Sequence, residues 1–459
     1  MTSGSKNDFY SLAWRWHFYA GLFVAPFMIL LTLTGIIYLF KPQLDPLLNS
    51  QLEVVQSAAT RVSIDTLRMN VQQRYPQGAI SQYISPLADD RSAQFMVSWE
   101  GRDHTVFVDP YRGDVLGEQD AKLNLQAIAR ALHGELMVGT VGDRLIELAA
   151  GWGIVLVVSG LYLWWPRSPK LAGAFWPRWR IHGRPLWRDL HGVAGFWSAL
   201  ALLFLLISGM TWTGFWGKQY ADLWNRFPAA MWNAVPKSDQ QAGSLNHSHH
   251  QTVPWAMENT PMPVSGGAHS DHAGMGSMSS MPAAPLIGLQ QVVEIAEARK
   301  VEPGYSITVP TTADGVFTIS VFADDPRRDA TLHIDQYTGK VLADVRWQDY
   351  SPVAKATELG VMLHEGRFLG LINQLIVLLA CLLVLLLSVS GLVMWWKRKP
   401  VGRLGVPPLR HELPRWKTAV AIMSAIGLIF PLVGLSMIML WALDRLVLIR
   451  WPLAQRILS

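Results

Sequence analysis

Four histidines recur at matched spacing. His17 stands in the phrase Trp14-Arg15-Trp16-His17-Phe18-Tyr19-Ala20-Gly21, and His191 in Trp187-Arg188-Asp189-Leu190-His191-Gly192-Val193-Ala194-Gly195. Each phrase opens a long apolar run, and each histidine precedes the glycine of a small-residue pair, Thr34-Gly35 or Ser208-Gly209, by 18 residues. His133 and His364 match in the same way, preceding Gly160 and Gly391 by 27 residues and Trp164 and Trp395 by 31. Neutral imidazole is a good metal ligand, and a histidine left unpaired in lipid is costly. Pairing His17 with His191 and His133 with His364, on opposite sides of one membrane, would hold two b-type haems and so carry electrons across a layer closed to ions. The plainer alternative is interfacial histidines bonded to headgroups or carbonyls, and the spacing alone does not separate haem from a metal ion. Gly21, Gly195, Gly134 and Gly366 would let a macrocycle approach the backbone. Arg15, Arg188, Arg144 and Arg367 are placed to meet its propionates, or equally to serve as interfacial anchors.

The elements that must position these residues are membrane helices. Half of the 459 residues are hydrophobic, only 16% are charged and 21 are Trp, the composition of a polytopic α-helical membrane protein. The net charge of +5 sits mainly in inter-helix loops, so it reports orientation and not a nucleic-acid partner. The single cysteine, Cys381, excludes an intramolecular disulfide, a thiolate cluster and a covalent Cys-x-x-Cys-His haem attachment.

About five spans are expected, at 17–40, 144–165, 188–216, 370–396 and 417–441, each near the ~20 residues needed to cross a bilayer. The apolar run of the first is too long for a cleaved signal and reads as a retained anchor. Lys and Arg crowd the loops 166–187 and 397–416, which the positive-inside rule places in the cytoplasm together with the N-terminus, 1–16. The segments 41–136 and 217–366 then lie outside the cytoplasm, in the periplasm if the cell has an outer membrane, the expectation being a bacterial inner-membrane protein. Five spans would put the tail 442–459, with Arg445, Arg450 and Arg456, on the outer side, against the rule. Trp164-Trp165 and Trp395-Trp396, followed by basic residues, read as an aromatic belt.

Each outer segment repeats one order: an amphipathic helix, three strands, then a turn and a final extended piece. In the first these are a helix through SIDTLRMNVQQRYP, strands AISQYIS, QFMVSWE and TVFVDP, and the turn from Asp109 to Gly113. The second has LQQVVEIAEARK, then YSITVP, VFTISVF and TLHID, and the turn from Asp335 to Gly339. One small α+β module thus occurs twice, within a tandem repeat covering about 14–165 and 187–396 that implies a pseudo-twofold axis along the membrane normal. His182, His411, His104 and His333 lack matched partners and are expected on the surface.

The stretch 237–285 is different, rich in Pro, Gly, Ser, Met and His, and is expected to be a disordered insertion. Its His247, His249, His250, His269 and His272, with Met275, Met278 and Met281, combine imidazole and thioether, a donor set suited to copper. A linker without that role is the other reading. No dinucleotide fingerprint or Walker loop is evident, so an electron donor would be a separate flavoprotein, a reduced flavin or a quinol.

WRWHFYAGLFVAPFMILLTLTGIIYLF, LHGELMVGTVGDRLIELAAGWGIVLVVSGLYLWW and the DPYRGDVLG turn resemble the PepSY-associated transmembrane family, also described as iron-regulated membrane proteins. The resemblance covers nearly the whole chain apart from the His/Met insertion and the extreme C-terminus. It implies PepSY-like outer modules, carries His17, His133, His191 and His364 over to the family's membrane-associated histidines, and points to di-haem reductases that release iron from ferric siderophores in the periplasm. The fifth span and the insertion depart from the simplest four-span relatives. The expectation is therefore haem-dependent electron transfer to a ferric siderophore. The alternatives are a cupric reductase or copper-handling protein, and a non-enzymatic PepSY sensor or peptidase-regulating membrane protein.

Overall fold

The computed structural model describes residues 4–166, 171–224, 235, 237–246, 253–266, 286–405 and 416–446. It divides into two compact units, one of Met1–Tyr38, Ala129–Ala221 and Leu375–Ser459, the other of Leu39–Ile128 and Asp222–Gln374.

In chain order the first repeat has α1 (Gly4–Leu39), the short α2 (Lys41–Leu48) and α3 (Ser50–Glu53), and α4 (Ile64–Arg74). Then come β1 (Ala79–Ile84), β2 (Ala93–Trp99), β3 (Arg102–Val108) and β4 (Val115–Asp120), followed by α5 (Leu125–Glu135) and α6 (Thr140–Trp164). The second repeat begins with α7 (Arg184–Met210) and α8 (Gly214–Trp224), then β5 (Lys237–Gln241) and β6 (Pro261–Pro263). It continues with α9 (Leu289–Ala298), β7 (Ser306–Thr308), β8 (Val316–Val321), β9 (Ala330–Asp335), β10 (Val341–Arg346), α10 (Pro352–His364) and α11 (Leu371–Arg398). Two shorter helices, α12 (Trp416–Ile429) and α13 (Pro431–Leu446), close the described chain.

Among the described residues, four helices are long and apolar enough to cross a membrane: Ala13–Leu39 within α1, Thr140–Trp164, Arg184–Met210 and Leu371–Arg398. They pack through small residues. A Cβ added to Gly153 of α6 would lie 3.1 Å from Leu206 of α7, and one on Gly151 would lie 2.7 Å from Val433 of α13. Side chains larger than hydrogen would hold these helices apart.

The single fifth span expected at 417–441 is instead a pair of helices. Pro431 has no N–H for a continuing helix, and the chain turns at Phe430 between α12 and α13. Residues seven apart in one helix are about 10 Å apart, yet a Cβ on Gly434 would lie 2.7 Å from the Gly427 Cα. The segment therefore folds back on itself, with two glycines letting the backbones touch. Each arm, at about 1.5 Å per residue, is shorter than the ~30 Å hydrocarbon core. Trp152 Nε1 of α6 donates to Ser436 Oγ of α13 at 3.1 Å, fastening the second arm to the bundle.

The other unit is built on one eight-stranded sheet in the order β10-β9-β8-β7-β1-β2-β3-β4. The two modules anticipated from the repeat thus join edge to edge, β1 antiparallel to β7 with Tyr83 opposite Ile307. Apolar residues of α4 (Ile64, Leu67, Val71) and of α9 (Leu289, Val292, Val293) share one core on the sheet. The helices cap each other reciprocally. Asp65 Oδ1 of α4 accepts from Leu289 N at 2.9 Å, and Gln290 Oε1 of α9 accepts from Ile64 N at 2.9 Å. The two turns are also copies. Asp109 Oδ1 accepts from Tyr111 N and Arg112 N, Asp335 Oδ1 from Tyr337 N and Thr338 N. Gly113 and Gly339 take φ of +80° and +71°, where a Cβ would be strained.

Of the insertion expected to be disordered over 237–285, the described residues 237–246 and 253–266 are folded. β5 pairs with β6, and Val253, Ala256, Met257 and Met262 are buried. Asn246 clasps Val253 by two hydrogen bonds, Asn246 Nδ2 donating to Val253 O at 3.3 Å and Val253 N to Asn246 Oδ1 at 2.9 Å. Ala256 N donates to the Glu358 carboxylate of α10 at 2.8 Å. His247, His249, His250, His269, His272, Met275, Met278 and Met281 all lie outside the described residues, as does His411.

Candidate functional site

The helix unit brings three of the four matched histidines onto seats of one kind. His17 of α1 places Nδ1 2.9 Å from Ser159 Oγ of α6. His133 of α5 places Nδ1 3.1 Å from Thr34 Oγ1 of α1. His191 of α7 places Nδ1 3.2 Å from Ser390 Oγ of α11 and 3.0 Å from the Leu387 carbonyl. The residue after each hydroxyl is glycine, and there a Cβ would meet the ring. The distance to Cε1 would be 3.1 Å from Gly160 to His17, 3.3 Å from Gly35 to His133 and 3.3 Å from Gly391 to His191. A hydroxyl that holds the ring nitrogen and a glycine that makes room for the ring are thus supplied together, from a helix other than the histidine's own.

His17 and His191, expected to face each other, lie with ring centres 6.3 Å apart and planes at 87°. With metal–imidazole bonds of about 2 Å, two rings at this separation could share one metal atom. Among the described residues no group of three or more His, Cys, Asp or Glu is arranged to hold a metal ion. A two-histidine donor set leaves an ordinary ion under-coordinated, whereas a haem would supply the remaining donors itself and would need only two imidazoles from the protein. On donor chemistry and spacing the pair fits haem. Elsewhere in this unit Ala20, Val24, Ala150 and Trp152 belong to the buried apolar core, and Trp16 stacks on Trp152 with ring centres 6.0 Å apart.

His364 ends α10 in the other unit and is half-buried. Of the flanking glycines, Gly134 has no atom within 4 Å of an added Cβ, Gly21 has only Leu156 at 3.9 Å, and Gly195 has Leu387 at 3.3 Å. Gly366 takes φ +74°. The arginines differ among themselves. Arg144 is engaged by Asp143 at 3.0 Å and Glu147 at 3.4 Å, and Arg367 by Asp324 and Glu365 and by the Phe322 carbonyl. Arg15 lies over the Tyr19 ring. Arg188 is 67% exposed and lies 3.4 Å from Asp189, whose carboxylate Arg178 already grips in bidentate fashion at 2.7 and 2.9 Å.

Several contacts in this unit are not apparent from the sequence. Ser159 and Ser390 were not singled out, although a Ser or Thr before Gly recurs in all four spans, at 34–35, 159–160, 208–209 and 390–391. The double tryptophans divide their labour: Trp164 Nε1 donates to Ala174 O and Trp395 Nε1 to Leu404 O, each pinning the loop that follows, while Trp165 and Trp396 face outward. Glu147, 2% exposed within a spanning helix, accepts from Phe215 N at 3.0 Å at the start of α8.

His333, expected on the surface, is fully buried, bonded through Nδ1 to Thr318 Oγ1 at 3.0 Å. Burial pulls its pKa down to about 4. The polar alternation Thr318, Ser320, Thr331, His333 reads as a solvent face, yet all four are buried. His104 stacks on Trp99 with ring centres 3.6 Å apart, and His182 is exposed as expected. Nearby in the second module, burial also pushes the Glu358 and Asp329 carboxyls up to about 8 and Glu258 up to about 7.

The family model of the PepSY-associated TM region matches residues 14–398, so the chain belongs to that family. No curated protein matches it.

Proposed function

We propose that this member of the PepSY-associated TM family carries electrons through the bacterial inner membrane, from the cytoplasmic side to a ferric complex on the periplasmic side. The observation that carries the reading is the His17–His191 pair, 6.3 Å apart with each Nδ1 held by a neighbouring helix. Haem iron, when bound, supplies a one-electron carrier. The protein's part is to fix two imidazoles, exclude water with the apolar helix core and offer cations to propionates, for which Arg15 and Arg188, beside His17 and His191 in sequence, are candidates. His133 and His364 are the outer-side ligand candidates by their place in the repeat.

The basic loops 166–187 and 397–416 support a cytoplasmic position for the His17 end. An electron donor on that side is a separate flavin, flavoprotein or quinol. The substrate class follows from ligand hardness: siderophore oxygens hold Fe(III) much more strongly than Fe(II), so one electron loosens the metal. The cupric alternative rests on side chains outside the described residues. Anaerobic mixing of the reduced protein with a ferric siderophore and a ferrous trap tests the reading. Reoxidation with trapped Fe(II) supports it, and a purified chain with no redox cofactor favours the sensor or peptidase-regulating alternative.

A further inference from the structure

We infer that Ser159, Thr34 and Ser390 are positioning residues that fix the tautomer of His17, His133 and His191 so that Nε2 carries the lone pair offered to a metal. The inference rests on the haem reading and deepens it. A hydroxyl has one hydrogen to give. Ser159 Oγ gives its own to the Leu156 carbonyl at 3.3 Å, Thr34 Oγ1 to Leu30 O at 2.8 Å and Ser390 Oγ to Leu387 O at 3.1 Å. Each hydroxyl therefore meets its histidine as an acceptor, and the proton between them belongs to Nδ1. A neutral imidazole protonated at Nδ1 has its free lone pair at Nε2. Donation from Nδ1–H also makes Nε2 a stronger donor, which favours the oxidised metal.

The three seats are not equivalent. His191 Nδ1 also lies 3.0 Å from the Leu387 carbonyl, which can only accept. Its tautomer is fixed even without Ser390. At His17 Nδ1 is held by the Ser159 hydroxyl, whereas His133 has both the Thr34 hydroxyl and, like His191, a backbone partner, Leu31. Removing the hydroxyl should therefore act strongly at His17 and weakly at His191, although both rings belong to one pair.

The test compares Ser159→Ala, Ser390→Ala, Thr34→Ala and Thr34→Ser in the full chain, by ¹⁵N NMR of histidine side chains in haem-free protein and by redox titration of loaded protein. Ser159→Ala should lose the Nδ1–H signature of His17. It should also shift the oxidised-to-reduced ratio at fixed poise about tenfold toward the reduced form, equivalent to about +59 mV for one electron. Ser390→Ala should keep the His191 tautomer and shift the ratio less than about twofold, and Thr34→Ser should behave as the parent. Equal effects of Ser159→Ala and Ser390→Ala, or an unchanged tautomer in Ser159→Ala, overturn the inference. If the chain binds no haem, the functional reading fails while the NMR comparison still decides the seats.

Discussion

Replacing Gly160 with alanine puts a Cβ 3.1 Å from Cε1 of His17, and replacing Gly153 puts one 3.1 Å from Leu206 Cδ1. Both sites lie in α6, both are helical and both crowd one neighbour by the same amount. Ordinary carbon contacts begin near 3.5 Å, so each neighbour must retreat by a few tenths of an ångström. Mild overpacking of this kind costs about 1–3 kcal/mol, partly offset by the roughly 1 kcal/mol that alanine gains over glycine in a helix. The two variants should lose similar, small amounts of thermal stability. Their effects on the cofactor should differ. Leu206 carries no ligand atom, but His17 is held at Nδ1 by Ser159, so displacing its ring would disturb its placement opposite His191. Haem per chain, from the absorption of the purified protein, should fall severalfold in Gly160→Ala and stay at the parental level in Gly153→Ala. Equal haem content in both would refute the idea that Gly160 exists to seat a ligand ring.

Other consequences follow from the fold. Because α12 and α13 fold back at Phe430, a reporter fused after residue 446 should lie on the same side as one in the loop 397–416; opposite sides would restore a fifth span. Asp65→Ala should remove one reciprocal helix cap at a cost of about 1 kcal/mol, and adding Gln290→Ala should cost about as much again, measured by denaturant unfolding of the full chain. Glu358 has a folded-state pKa of about 8 against an ordinary 4.5, so the folded form binds the extra proton and stability falls as pH rises from 4.5 through 8. Glu358→Gln keeps an acceptor for Ala256 N and should raise the melting temperature at pH 9 while changing little at pH 5; a uniform effect at both would contradict the burial of an ionising group there.

Much of this was legible because it repeats. The paired phrases around His17 and His191, the two Asp-to-Gly turns and the helix–strand order of both modules are local patterns, and each appears where its pattern put it. Features made by long-range packing were not legible. Nothing local to Ala330–Asp335 says that its polar face will be buried, so the surface position expected for His333 does not hold. The apolar content of 417–441 suffices for a span, and only the Gly427–Gly434 contact reveals the fold-back. Ser159 and Ser390 acquire meaning only when α6 and α11 bring them to rings 142 and 199 residues away. The pairing of Thr34-Gly35 with His17 by distance was a true repeat signal, but the histidine it seats is His133.

The most direct measurement is a reduced-minus-oxidised absorption spectrum of the purified chain beside those of His17→Ala and His191→Ala. Two b-type haems per chain are expected in the parent, with the same one lost in both variants and the other retained. A parent without a Soret band, or variants with unchanged haem content, would contradict the claim that these two rings share one iron.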